Sequence, residues 1–419
     1  MIGFDEALVI IQREAAVLPA RTCAAADAVG LVLACDVCSG EDLPPFDNSA
    51  MDGFALRIGS EPLAASAEFD VAGAQAAGDA HAIAKSGAWE IMTGARLPDG
   101  LDAVIPVEQV EVLARDGQDR PLRIRTTAVV EPGQHVRLRG EDVRTGACIL
   151  KAGTRIEAPQ LMLLAALGVA QVQVRPAPRV ALLTTGRELV DDPTQALASG
   201  EIRNSNGPYL AQRVADAGAQ LVLRETVSDD ADAFLAALQR ALAAGAEVVL
   251  STGAVSMGRH DFVPDALRSI GACLHFHKVR IRPGKPLLFA SLPGGQLYFG
   301  LPGNPASSAV GLRFFVEPAL RALSGLVPER PLQVPLAASF KKRAPLRFHL
   351  KGGLELNQHG QLQARVLPGQ ESFRIAPMAQ ANCWVVVEET QEAPAAGELV
   401  KVYGLGHLLA PQIEMAVSL

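Results

Sequence analysis

Val180-Ala181-Leu182-Leu183 is a short run, apolar at every position, and it stops at Thr184-Thr185-Gly186. The design returns in Glu247-Val248-Val249-Leu250, which ends at Ser251-Thr252-Gly253, and in Leu297-Tyr298-Phe299, which ends at Gly300-Leu301-Pro302-Gly303-Asn304-Pro305. Continuous apolar runs of this length mark strands covered on both faces, as in a parallel sheet. Helical patterns fill the gaps: about Pro208 to Ala217, Ala231 to Ala244, and a long one after Pro305 to about Ser324. A further strand is expected from Gln220 to Arg224. This βα alternation predicts a doubly wound α/β domain over residues 178–327. The Thr-Gly turns lie at carboxyl ends of strands, where such sheets bind ligands.

Working outward, the pattern changes at both sides. From about residue 328 to 419, short strands alternate with Gly, Asn and Pro punctuation, including Leu354–Leu356, Leu362–Val366, Trp384–Glu388 and Leu399–Val402; a C-terminal β-barrel or sandwich is expected. On the other side, residues 4–17 read as a helix with Asp5 and Glu6 in its first turn and an apolar face of Ala7, Leu8, Ile10, Ile11 and Ala15. A second helix is expected over Ala158 to Leu167. Residues 43–140 carry short strands broken by Gly and Pro and read as an inserted β-rich domain. Residues 1–42 and 141–177 are then the two parts of a discontinuous N-terminal domain.

Composition narrows the function. A hydrophobic content of 49% and a charged content of 20% are values for globular domains with sizeable cores. The net charge of −7 argues against a general nucleic-acid binder, and aromatics at 5% leave few platforms for base stacking. No charged leader followed by an apolar segment is visible, nor an apolar run long enough to cross a membrane, so a cytoplasmic protein is expected. Cys35-Asp36-Val37-Cys38 is formally C-x-x-C, but no second pair completes a zinc site. The cysteines read as reduced and ordinary.

Leu43-Pro44-Pro45-Phe46-Asp47-Asn48-Ser49-Ala50-Met51-Asp52-Gly53-Phe54-Ala55 has a different character. Two prolines hold the chain extended, Asp47-Asn48-Ser49 is turn chemistry, and small residues leave room for close backbone approach. Asp52 is either a turn acid in solvent or a carboxylate held for a metal or a proton. Further polar turns follow. Glu201-Ile202-Arg203-Asn204-Ser205-Asn206-Gly207-Pro208 opens a helix, with Ser205 or Asn206 as cap. Ser251 to Asp261 (STGAVSMGRHD) is a small-residue loop suited to an oxyanion, without the Lys of a Walker A motif. Lys278, Arg280 and Arg282 repeat with period two before Pro283-Gly284-Lys285-Pro286, a cationic face that suits either an exposed edge or an anion.

The string at 43–55 resembles the PPFDNSAMDGxA block of MoeA-type molybdopterin molybdenumtransferases, the family that includes the E domain of gephyrin. Other family blocks recur in order: GxxVRxxGED at 133–142, the TGxE turn at Thr185–Glu188, R-D/N-S-N-G at 203–207, S-[TG]-G-G-V-S-x-G-x-x-D at 251–261, [KR]PGKP at 282–286 and GLPGNPxS at 300–307. The resemblance implies a molybdenum insertase acting on adenylylated molybdopterin and molybdate with release of AMP; the rival readings are a molybdopterin adenylyltransferase and a non-catalytic scaffold. It implies Mg²⁺ held by carboxylates such as Asp52, Glu188 or Asp261, with Asp142 near the cleft. Thr185, Gly186, Asn206, Gly253, Ser256, Gly258, Pro302, Gly303 and Asn304 would cradle pterin and phosphates. Arg282, Lys285, Ser307, Lys351 and Ser372 would line the molybdate pocket. It also implies a homodimer with a cleft shared between chains, and the adenylyltransferase and delivery proteins as partners. Arg187, Ala254 and Lys351 depart from the family pattern.

Overall fold

The computed structural model describes residues 1–253, 262–342 and 345–415. They form two compact units: residues 1–21, 30–34 and 173–419 make one, residues 22–29 and 35–172 the other.

The larger unit contains the α/β sheet. Its strands run in the order Gln220–Val227, Arg179–Thr185, Val248–Thr252, Leu297–Leu301, Leu288–Ser291, Cys273–Phe276. The first four are parallel, and Leu288–Ser291 runs antiparallel to both of its neighbours. Side chains alternate between two cores, which is why the strands read as unbroken apolar runs. Val180, Leu182, Val248, Leu250, Leu297 and Phe299 face one core, with Leu210 and Val214 of helix Asn206–Asp216 and with Phe4, Ala7 and Ile11 of helix Phe4–Glu14. Ala181, Leu183, Val249 and Tyr298 face the other, with Phe234, Ala237, Leu238 and Ala241 of helix Ala231–Ala243.

The long helix expected after Pro305 is interrupted. It runs as Pro305–Gly311, a wide π segment over Leu312–Val316, then Glu317–Leu323. The fully buried Glu317 pairs with Arg213 at 2.9 Å and Arg313 at 3.4 Å. Arg313 also donates to the Gly404 carbonyl at 2.9 Å. Hydrophobic periodicity carries no trace of a π turn, so a single helix was the natural expectation.

The C-terminal strands form the expected barrel. Arg347–Leu356 pairs with Leu362–Val366 and with Cys383–Val387; the ladder continues through Leu399–Tyr403 to Leu332–Pro335, and Leu336 bridges back to Ala364. Val334, Leu350, Leu354, Val385 and Val400 fill it. Ile281–Arg282 pairs in parallel with Arg347–Phe348, which sets the cationic turn beside the barrel.

In the smaller unit a six-stranded sheet runs Ala103–Pro106, Gly53–Leu56, Ala88–Ile91, Glu68–Gln75, Pro121–Thr126, Val110–Arg115. Helix Ala158–Ala166 belongs to the same unit. Gly53 is obligatory: a Cβ there would lie 2.0 Å from the Ile105 carbonyl oxygen.

Two buried imidazoles in the larger unit make its stability sensitive to acid. His349, 1% exposed, lies between the Phe4 and Phe314 rings, and burial holds its pKa well below the ordinary value. His407 accepts from Arg321 at Nδ1 and donates from Nε2 to the Ala217 carbonyl, both at 3.1 Å; burial and then Arg321 lower its pKa to about 3. An unfolded imidazole takes its proton near pH 6.5. Stability is therefore whole above that pH and falls as pH drops toward the folded values, by about 1.4 kcal/mol per pH unit for each group. In a Trp89→Phe protein, Trp384 fluorescence should show a lower urea midpoint at pH 5 than at pH 7.5. Adding His349→Phe and His407→Gln should shrink that difference; an unchanged difference would contradict the assignment.

Candidate active site

The carboxyl ends of three parallel strands meet, and at Gly253 they leave no room for a side chain. Thr185 is buried and donates through Oγ1 to the Thr252 carbonyl at 2.9 Å. Gly253 follows at φ +88°, and a Cβ on it would lie 2.6 Å from both the Thr185 carbonyl oxygen and Oγ1. Gly303 approaches the same point, its Cβ direction meeting Gly253 Cα at 3.9 Å. Asn206 Nδ2 donates to the Gly303 carbonyl at 2.7 Å. Thr185, Gly186, Asn206, Gly253 and Gly303 are thus brought together, with Pro302 and Asn304 on the same turn. Glu188 closes one side: a Cβ on Gly186 would meet its carboxylate at 2.8 to 3.0 Å.

The helix start at this point differs from the sequence expectation. Ser205 precedes the helix but makes no side-chain cap. Buried Asn204 does the work instead: its Oδ1 accepts the Gly207 N–H at 2.9 Å, while its Nδ2 donates to Asp191 at 2.9 Å and Thr184 Oγ1 at 3.1 Å. Asn206 is left to reach the Gly303 turn. The run Asn204-Ser205-Asn206 offers three residues able to cap, and propensity alone does not choose among them.

Beyond the Gly303 turn lies a cavity of about 440 Å³. Arg282, Lys285, Asn304, Ser307, Glu371 and Ser372 are among its lining residues. Each arrives by a different route. Arg282 ends the short strand beside the barrel, its guanidinium 5.5 Å from the centre of the Phe348 ring, a cation–π contact. Gly284, at φ +96°, turns the chain so closely against the next helix that a Cβ would lie 3.3 Å from the Ser307 carbonyl oxygen. Lys285 follows on that turn. Ser307 is buried in the first turn of helix Pro305–Gly311. Two N–H groups of that turn are engaged: Ala306 donates to the Ser372 carbonyl and Ser308 to the Asn304 carbonyl, each at 3.0 Å. Glu371, the acid of the wall, pairs with Arg374 at 3.0 Å. Two cationic and two hydroxyl residues lining a cavity with one carboxylate that is already paired suit a small oxyanion.

Lys351 does not line this cavity. It sits on strand Arg347–Leu356, 2% exposed, with Nζ donating to the carbonyls of Gly369 at 2.7 Å and of Glu371 and Arg374 at 3.2 Å. The family resemblance grouped it with Arg282, Lys285, Ser307 and Ser372; the structure gathers those four and puts Lys351 beneath the loop that carries Ser372.

In the smaller unit the stretch 43–55 is a hub of backbone ties. Asp47 accepts the Arg139 N–H at 2.7 Å through its carboxylate and the Leu97 N–H at 2.8 Å through its carbonyl. Asn48 and Ser49 pair with Arg137 and Val136. Asp52 Oδ1 accepts the Thr93 N–H at 2.7 Å, and the Thr93 backbone and side chain hold its carboxyl below the usual carboxylate range. Asp52 is exposed and ionised. Asp142 is exposed too, and its N–H donates to the Leu43 carbonyl at 3.0 Å.

Ser256, Gly258 and Asp261 lie outside the described residues, as does Ala254. Among the described residues no group of three or more His, Cys, Asp or Glu gathers as a metal cluster, and Cys35 and Cys38 form no disulfide.

Known families match nearly the whole chain. The region described as MoeA N-terminal (domain I and II) matches residues 2–168, a probable molybdopterin binding domain matches 181–322, and the MoeA C-terminal region (domain IV) matches 333–405. A protein of Synechococcus elongatus named molybdopterin molybdenumtransferase is 37% identical over 383 residues, covering 89% of this chain and 92% of that one. A protein of the same name from Haemophilus influenzae is 34% identical, covering 91% and 93%. The crystal structure of a molybdopterin biosynthesis MoeA protein from Pyrococcus horikoshii superposes with a TM-score of 0.78 at 27% identity, over 96% of this chain and 99% of that one.

The packing at the strand ends is directly testable. Gly253→Ala forces a positive φ on alanine and a clash with Thr185, and should destabilise the protein by about 2–4 kcal/mol. Gly303→Ala meets only an ordinary contact and should cost less than about 1 kcal/mol. Urea unfolding of both variants checks the order; equal costs would contradict the close approach at Gly253.

Proposed function

This chain belongs to the family of molybdopterin molybdenumtransferases, and from that membership we propose that it inserts molybdenum into molybdopterin, taking molybdate and adenylylated molybdopterin and releasing AMP. The observation that carries the substrate assignment is the cavity holding Arg282, Lys285, Ser307 and Ser372 together. Molybdate is a tetrahedral dianion, and converging guanidinium, ammonium and hydroxyl donors match its oxygens. The Thr185, Gly253 and Gly303 turns share the Pro302–Asn304 wall with that cavity, and closely packed glycine backbone suits the pterin and its phosphates.

Mg²⁺ belongs to the same proposal. It takes hard oxygen ligands and bridges phosphates. Asp52, ionised and held by Thr93, has the right donor chemistry, as do Glu188 and Asp261. When bound, the ion would neutralise the phosphoanhydride oxygens. A homodimer, a cytoplasmic setting and exchange of substrate and product with an adenylyltransferase and molybdoenzyme-delivery proteins complete the reading. No helix among the described residues is long and apolar enough to cross a membrane.

AMP release from adenylylated molybdopterin in the presence of molybdate tests the activity. ATP consumption with unadenylylated molybdopterin would indicate the adenylyltransferase reaction instead. Removing a charged hydrogen-bond donor costs about 1.5–3 kcal/mol, so Lys285→Ala should weaken molybdate binding about 10- to 100-fold by calorimetry. Asp52→Asn should stay folded by circular dichroism and lose turnover, and EDTA should abolish turnover until Mg²⁺ is restored. Wild-type molybdate affinity in Lys285→Ala would remove the cavity from the substrate assignment.

A further inference from the structure

Lysine carries three N–H donors and no acceptor. Lys351 spends all three on backbone carbonyls of one short loop, those of Gly369, Glu371 and Arg374. No donor remains for an anion. The same loop is tied a second time by Gln370. Its Oε1 accepts the Lys351 N–H at 3.0 Å, and its Nε2 donates to the carbonyls of Lys351 at 2.9 Å and Leu367 at 2.7 Å. The loop's third anchor is the Ser372 carbonyl, which accepts the Ala306 N–H at 3.0 Å.

The loop needs such ties. Its residues 371 and 373–376 are exposed, and Phe373 and Ile375 present 64% and 48% of their surface to solvent. No regular ladder spans 367–375. Yet Glu371, Ser372 and Phe373 form one wall of the oxyanion cavity. We infer that Lys351 is a positioning residue, an internal clamp that folds the 369–374 loop so that the Ser372 hydroxyl faces the cavity, and that it does not touch the substrate. Burial lowers the pKa of its ammonium; the Glu371 carboxylate pulls it up again and the Arg374 guanidinium pushes it down. Loss of the ammonium takes a donor from all three carbonyls and leaves that of Glu371 only the Arg374 N–H at 3.1 Å, so the loop opens rather than keep under-paired carbonyls buried.

The inference rests on reading the cavity as the molybdate site, and the test separates the two. Hydrogen exchange in the intact protein reads the clamp without any ligand. Lys351→Met keeps the stem and removes the donors: amides of residues 370–374 should exchange at least about tenfold faster, and chymotrypsin should cut at Phe373 sooner. Molybdate affinity should fall, with KM for molybdate rising more than kcat drops. Ser372→Ala should weaken molybdate binding with loop exchange unchanged, and Gln370→Ala should behave like Lys351→Met. In wild type, acetylation of Lys285 should be blocked by molybdate, while Lys351 reacts slowly whether or not molybdate is present; this arm stands if Lys351→Met fails to fold. Lys351→Met with normal loop exchange, a loosened loop with normal molybdate affinity, or a reactive Lys351 protected by molybdate would each overturn the clamp. Failure of molybdate to bind wild type would strike the cavity assignment and leave the exchange result standing.

Discussion

The carboxyl edge of the α/β sheet depends on a backbone contact at Gly253 that no side chain permits. Against Thr185 the approach is one a Cβ would violate, and Gly303 comes to ordinary contact on the other side. The hydroxyl of Thr185 ties the first two strand ends, and Asn206 ties the third to the start of helix Asn206–Asp216. A parallel sheet aims its strand ends at one edge. Here glycine lets that edge become a continuous floor of peptide groups.

The cavity beside it is assembled from unlike elements. Arg282 comes from a strand annexed by the barrel, Lys285 from a Pro-Gly turn, Ser307 from a helix start and Ser372 from a barrel loop. Packing and hydrogen bonds within the fold hold these pieces: the Phe348 ring, the contact of Gly284 with Ser307, the Ala306 N–H and the Lys351 ammonium. An oxyanion site gains from such fixed supports, because donors held in place by packing lose little freedom on binding.

Much of this was legible in the sequence. Strands covered on both faces announce themselves as apolar runs, so the α/β domain followed from three of them. Period-two alternation placed Arg282 on the side opposite Val279 and Ile281, both of which are buried. Lys351 shows where such reasoning stops. Strand Arg347–Leu356 is buried along nearly its whole length, so alternation assigns its side chains to no solvent face, and the carbonyls that Lys351 serves belong to a loop some twenty residues later. The helix cap was equally hidden: Asn204 and Asn206 look alike in sequence, and only the position of the Gly303 turn decides which of them caps. At 43–55 the motif signalled function, while the structure shows each polar residue also tying neighbouring strands and turns of its own unit.

The central claim is that Arg282, Lys285, Ser307 and Ser372 hold the molybdenum substrate. Diffraction from crystals soaked in molybdate, measured across the molybdenum absorption edge, tests it most directly. The account predicts an anomalous peak inside the cavity, within hydrogen-bonding reach of Lys285 and Ser372 and outside that of the Lys351 ammonium. A fully occupied peak elsewhere on the protein, with none in the cavity, would contradict it.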